Sequence, residues 1–155
     1  MSSNFLVLGE YALQVKIGQV KQSSPWQPFR WELLELAPAE PALIAEPPNS
    51  VQLTKFEVFQ DELQGYFLNL DSDKPCVFFL LRYPDENKTQ RPTVFAATVS
   101  YDEAARWMDS NEEVQTLGMP TEMAAWLAQL VDARYQPEPK RRARPQSFLS
   151  PDQRG

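Results

Sequence analysis

Histidine is missing altogether from the 155 residues, and cysteine occurs once, at Cys76. The first absence removes every histidine-based triad, proton shuttle and metal site, and the second removes any intrachain disulfide. Glycine is scarce, at five residues, so few positions allow the backbone to close on a phosphate, and a nucleotide-cradling loop is disfavoured. Long apolar runs are also lacking. The N-terminal run Phe5 to Leu8 has no basic flank and is too short for a signal-peptide core, and Cys76 to Leu81 is only strand-length. A cytoplasmic protein without membrane attachment is the expectation.

Proline, by contrast, is abundant at fourteen, and charge is unevenly spread. Residues 1–139 hold ten Lys and Arg against twenty Asp and Glu, a net of -10, whereas residues 140–155 hold five against one, a net of +4. The folded part is expected to be acidic and the tail basic, a division that points either to a solvated tail or to an arm for an acidic partner.

The densest apolar stretch runs from Gly65 to Tyr83. Tyr66–Leu70 and Cys76–Leu81 flank Asp71-Ser72-Asp73-Lys74-Pro75, a pattern that predicts a β-hairpin with Gly65 as a turn or bulge before it. Cys76–Leu81 is apolar at every position, as in a central strand covered on both faces. Before it, Tyr11, Leu13, Val15 and Ile17 alternate with more polar neighbours. They predict a first strand, joined through the Trp26 loop to a second over Arg30–Leu36. Ala37–Ser50 carries Pro38, Pro41, Pro47 and Pro48 and reads as an extended connection, with Leu43 and Ile44 as a brief edge contact. A third strand starts near Val51, another spans Thr93–Val99, and Val114–Leu117 adds a short one.

Ser100-Tyr101-Asp102-Glu103 reads as a capping box that opens a helix ending near Asp109. A second helix follows from Pro120 or Thr121, since Met123, Trp126, Leu127, Leu130 and Val131 share one face. The expected fold class is α+β: an antiparallel sheet of about five or six strands covered by two C-terminal helices. The expected domain layout is a flexible N-terminus over 1–10, a single α+β domain over 11–136, and a disordered, basic, Pro-rich tail over 137–155.

Candidate chemistry is thin. The carboxylate pairs Asp71/Asp73, Asp85/Glu86, Asp102/Glu103 and Glu112/Glu113 sit in turns or helix starts, with no matching nucleophile or oxyanion donor. Cys76 reads as a small buried hydrophobe. No catalytic residue, cofactor or metal ligand is assigned, and the protein is read as noncatalytic. The candidate partner-binding residues are Trp26, Trp31, Arg82, Lys140, Arg141, Arg142 and Arg144. Trp26, in a Pro-flanked loop, reads as a lid folded over the sheet or as an exposed anchor for a partner. Arg82 ends an apolar strand and reads first as one half of a structural ion pair. The basic cluster can meet phosphates, but four cations without interleaved aromatics give only weak, salt-sensitive nucleic-acid binding.

The ordered landmarks resemble a proteobacterial family known as domain of unknown function 3305. They are Val15-Lys16-Ile17-Gly18 leading to Pro25-Trp26 and Trp31; Tyr66-Phe67-Leu68-Asn69-Leu70 through Pro75 to Leu81-Arg82; Ala97-Thr98-Val99-Ser100-Tyr101-Asp102-Glu103-Ala104; Met119-Pro120 before Trp126; and Lys140-Arg141-Arg142. The resemblance spans about Tyr11 to Arg144. Genes of that family often lie beside those for molybdenum-dependent formate dehydrogenases. The resemblance therefore implies an accessory protein that binds such an enzyme or its maturation machinery. The alternative from another class is a nucleic-acid-associated regulator that uses the basic tail.

Overall fold

The computed structural model describes residues 6–39 and 50–135. The expected edge contact at Leu43 and Ile44 and the basic tail lie outside the described residues.

Six strands and three helices follow one another as β1 (Val7–Lys21), β2 (Phe29–Pro38), β3 (Val51–Phe59), α1 (Leu63–Leu70), β4 (Cys76–Arg82), β5 (Thr93–Thr98), α2 (Tyr101–Asp109), β6 (Glu113–Gly118) and α3 (Thr121–Asp132). The strands do not form the single sheet expected from the sequence. They form two three-stranded antiparallel sheets, ordered β2-β1-β3 and β5-β4-β6. The sheets share one apolar core, built from Leu13, Val15 and Ile17 of β1, Phe56 and Val58 of β3, and Val77, Phe79 and Leu81 of β4. β4 is the middle strand of its sheet and is buried from Val77 to Leu81, as its unbroken apolar run requires.

The sheets meet at both edges, β3 beside β5 and β2 beside β6. Neither seam is a backbone ladder. At the first, the Gln52 side-chain amide donates to the Val94 carbonyl at 2.9 Å and accepts from the Val94 amide at 2.8 Å. At the second, Gln115 accepts from the Leu33 amide at 2.9 Å and donates to the Trp31 carbonyl at 3.3 Å. A primary amide offers the same donor and acceptor as a peptide group, so each glutamine satisfies edge groups that a neighbouring strand would otherwise cover. The six strands thus go round as a partly open barrel, with side chains at the joints.

The predicted strand over Tyr66–Leu70 is corrected to a helix. Leu63 and Tyr66 are buried and Leu70 partly so, an i, i+3, i+7 series that follows the helical period. Gly65, read as a turn or bulge, lies inside α1, where a Cβ would fall 2.1 Å from Ser100 Oγ. It is glycine because the helix touches the start of α2 there. Asn69 is buried: its amide donates to the carbonyls of Cys76 at 2.7 Å and Val99 at 2.9 Å and accepts from Cys76 N at 3.1 Å. One side chain therefore fastens α1 to β4 and to the end of β5.

Two boundaries also shift. β1 begins at Val7, four residues ahead of Tyr11, and β2 runs on through Ala37 to Pro38, which the sequence placed in a connection. The helices after β5 fall where expected. Met123, Leu127 and Val131 of α3 are buried, and its Trp126 stands edge-on to Tyr11 and Phe56, with ring centroids 5.0 and 6.1 Å away.

Candidate functional site

The loop between β1 and β2 builds the most distinctive surface. Ser24 Oγ accepts from the amides of Trp26 and Gln27, each at 3.3 Å, a local turn suited to the Ser-Ser-Pro sequence. Gln22 closes the loop, donating from its amide to the Pro28 carbonyl at 2.8 Å and from Nε2 to the Gln27 carbonyl at 2.6 Å.

This loop leans on the one between β4 and β5. Gln27 Nε2 donates to the Asn87 carbonyl at 3.1 Å, and Trp31 Nε1 donates to the Thr89 carbonyl at 3.1 Å. The receiving loop is itself fixed. Asp85 accepts from the amides of Thr89 at 3.0 Å and Gln90 at 3.2 Å and from the Thr89 hydroxyl. The Thr89 hydroxyl and then its amide hold the Asp85 carboxyl below the usual carboxylate range. Lys88 takes the left-handed conformation at φ 59° and pairs with Glu113 at 2.8 Å.

On this base Trp26 projects outward, 89 % exposed. The lid expected from its Pro-flanked setting is overturned by that exposure, which fits the alternative reading of an exposed side chain, while Gln27 of the loop and Trp31 of β2 bond to Asn87 and Thr89. Phe29 beside it is 47 % exposed, and a hollow of about 200 Å³ lies among Trp26, Pro28, Phe29, Trp31 and Lys88. Trp26 and Trp31, picked separately from the sequence, thus line one hollow. Their bracing residues Gln27, Lys88 and Thr89 were missed. The only hint was the Asp85-to-Thr89 spacing in a polar loop, which signals a capped turn but not what rests on it.

Arg82 lies elsewhere. It pairs with Glu112 at 3.3 Å and places its guanidinium 4.2 Å from the centre of the Phe95 ring. Lys140, Arg141, Arg142 and Arg144 are outside the described residues. Cys76 opens β4 half-buried, and burial raises its thiol pKa, which disfavours the reactive thiolate. Among the described residues no group of three or more Cys, Asp or Glu side chains is placed to hold a metal ion, and no helix is long and apolar enough to cross a membrane.

Residues 12–144 match the model of the family described as protein of unknown function (DUF3305). The chain belongs to that family. No curated protein and no solved structure shows significant similarity to it. The DUF3305 match takes in Trp26, Trp31, Arg82 and the four tail cations.

Proposed function

We propose that this DUF3305 protein is a noncatalytic accessory protein that binds a molybdenum-dependent formate dehydrogenase, or the machinery that matures it, through the surface around Trp26. The observation that carries the binding role is a tryptophan 89 % exposed on a loop tied down at Gln22, Gln27 and Trp31. An anchored loop presents the indole with little ordering left to do, so most of its burial counts toward affinity. Aromatic anchors of this kind dominate interfaces, at about 2 kcal/mol or more each. The partner's identity rests on the family's gene neighbourhood rather than on shape.

The test is affinity purification of the full chain from its native host with identification of retained proteins. A formate dehydrogenase subunit or maturation factor is expected with the wild type and is lost with Trp26→Ala, by about 30-fold for a 2 kcal/mol anchor. Recovery of neither class of protein overturns the proposal.

A further inference from the structure

The seam between β3 and β5 is pinned at two points. Gln52 holds Val94 at one end, and at the other the Ser100 hydroxyl donates to Glu62 at 2.7 Å. Between the pins, where α2 passes, lies a cleft of about 360 Å³ lined by Thr54, Glu57, Phe59, Phe95, Glu103 and Trp107. Its charge is unbalanced. The nearby cations are committed, Lys55 to Glu10 at 3.1 Å and Arg106 to Glu62 at 2.5 Å. Among the described residues Glu57, Glu103 and the adjacent Asp61 and Asp102 have no ion-pair partner.

Burial is the main reason that the Glu103 carboxyl pKa is raised; the Thr98 hydroxyl at 2.6 Å and the Arg106 charge work against the rise, and the Glu62 and Asp61 charges add to it. Phe95 in the cleft wall is 62 % exposed, and one face of its ring is covered by Arg82, which is itself paired with Glu112 at 3.3 Å.

We propose that the segment Lys140-Arg141-Arg142-Ala143-Arg144 docks in this cleft of its own chain, its cations against Glu57 and Glu103 and against the ring of Trp107. Charge selects the occupant: the segment holds four cations, and the two carboxylates that line the cleft, Glu57 and Glu103, have no ion-pair partner among the described residues. The tail starts beside α1, the helix that leads back to Glu62 and so to the cleft's edge. The described chain ends at Tyr135, whose ring lies 5.2 Å from that of Phe67 in α1. Glu62 precedes that helix, about 8 Å from Phe67 along the axis at 1.5 Å per residue. Six residues, 136–141, reach roughly 18 Å in an extended Pro-rich form. The proposal is independent of the Trp26 surface, which lies on other loops.

A nitroxide at Ser147→Cys in a full-length Cys76→Ala background tests it by paramagnetic broadening of amide signals. Selective broadening of Phe95, Ala97, Glu103 and the Trp107 indole is expected. It should disappear when Lys140, Arg141, Arg142 and Arg144 are changed to Gln, or when Glu57→Gln and Glu103→Gln are combined. Raising the salt to about 1 M, where the screening length is about 3 Å, should relieve it too. Uniform broadening, broadening centred on Trp26 and Thr89, or indifference to charge and salt overturns the proposal. Equal broadening of a labelled-isotope copy mixed with a nitroxide-bearing one also overturns it, because the tail then docks on a second molecule.

Discussion

Gln52 satisfies both backbone groups of Val94, accepting from its amide at 2.8 Å and donating to its carbonyl at 2.9 Å. Gln52→Leu keeps the aliphatic stem and leaves both groups without partners. A loss of about 1 to 3 kcal/mol in unfolding free energy is expected, read from the urea midpoint. Gln52→Glu keeps the acceptor and loses the donor, and is expected to cost less. Equal midpoints for wild type and the Leu variant contradict a bracing role.

Gly65→Ala tests the α1 to α2 contact. Alanine is the better helix former by about 1 kcal/mol, so an isolated helix gains from the change. Here the new methyl lands 2.1 Å from Ser100 Oγ and 3.2 Å from the Asp102 amide, and α1 has to move. A net loss of about 1 to 3 kcal/mol is expected from the overpacking. Adding Ser100→Gly removes the closest atoms and is expected to restore part of the Gly65→Ala loss, as measured by a double-mutant cycle in denaturant.

Asp85 gives a pH signature. Its folded pKa is depressed, chiefly by the Thr89 hydroxyl. The group therefore contributes stability above its unfolded value, about 3.9, and loses that contribution as pH falls through the lower folded value. Carbon-detected NMR titration is expected to place Asp85 below an ordinary aspartate, and Thr89→Val is expected to move it back up. An unchanged titration in Thr89→Val removes the hydroxyl as the cause.

Trp26 and Trp31 are expected to part company in stability. Trp26→Ala removes a ring that is 89 % exposed and is expected to shift stability by no more than about 0.5 kcal/mol. Trp31→Phe loses the indole donor to Thr89 and is expected to cost about 1 kcal/mol, with loosening of residues 85–90 visible in amide exchange.

Arg82→Ala removes an exposed ion pair and a ring contact together. The expected cost is about 0.5 to 1 kcal/mol, smaller at high salt. A larger effect at all salt concentrations indicates that packing of the arginine stem against Phe95 dominates instead.

Sequence pattern located α3 and the start of α2 because those signals are local. Met123, Leu127 and Val131 recur at helical spacing and are buried, and Ser100 Oγ accepts from the Glu103 amide at 3.0 Å as a capping serine does. The reciprocal half of that box, with Glu103 reaching back to the Ser100 amide, is overturned: Ser100 N turns to Thr98 Oγ1 at 3.1 Å, and the Glu103 carboxylate takes the same hydroxyl at 2.6 Å. Tyr66–Leu70 was misread because five residues satisfy either period. The contacts that decide it, Asn69 with Val99 and Gly65 with Ser100, are thirty or more residues away. The lid reading of Trp26 fails for a similar reason, since its neighbours Gln27 and Trp31 are held by Asn87 and Thr89, some sixty positions on. The division into two sheets was hidden because alternation reports which face of a strand is covered and is silent about which strand lies alongside.

The seams closed by Gln52 and Gln115 have a consequence for assembly. Each sheet is drawn from an unbroken run of chain, β1 to β3 within residues 7–59 and β4 to β6 within residues 76–118. The first sheet can complete its own ladders while the second is still on the ribosome, and the two halves then need only a few amide rivets and a common oily interior to lock.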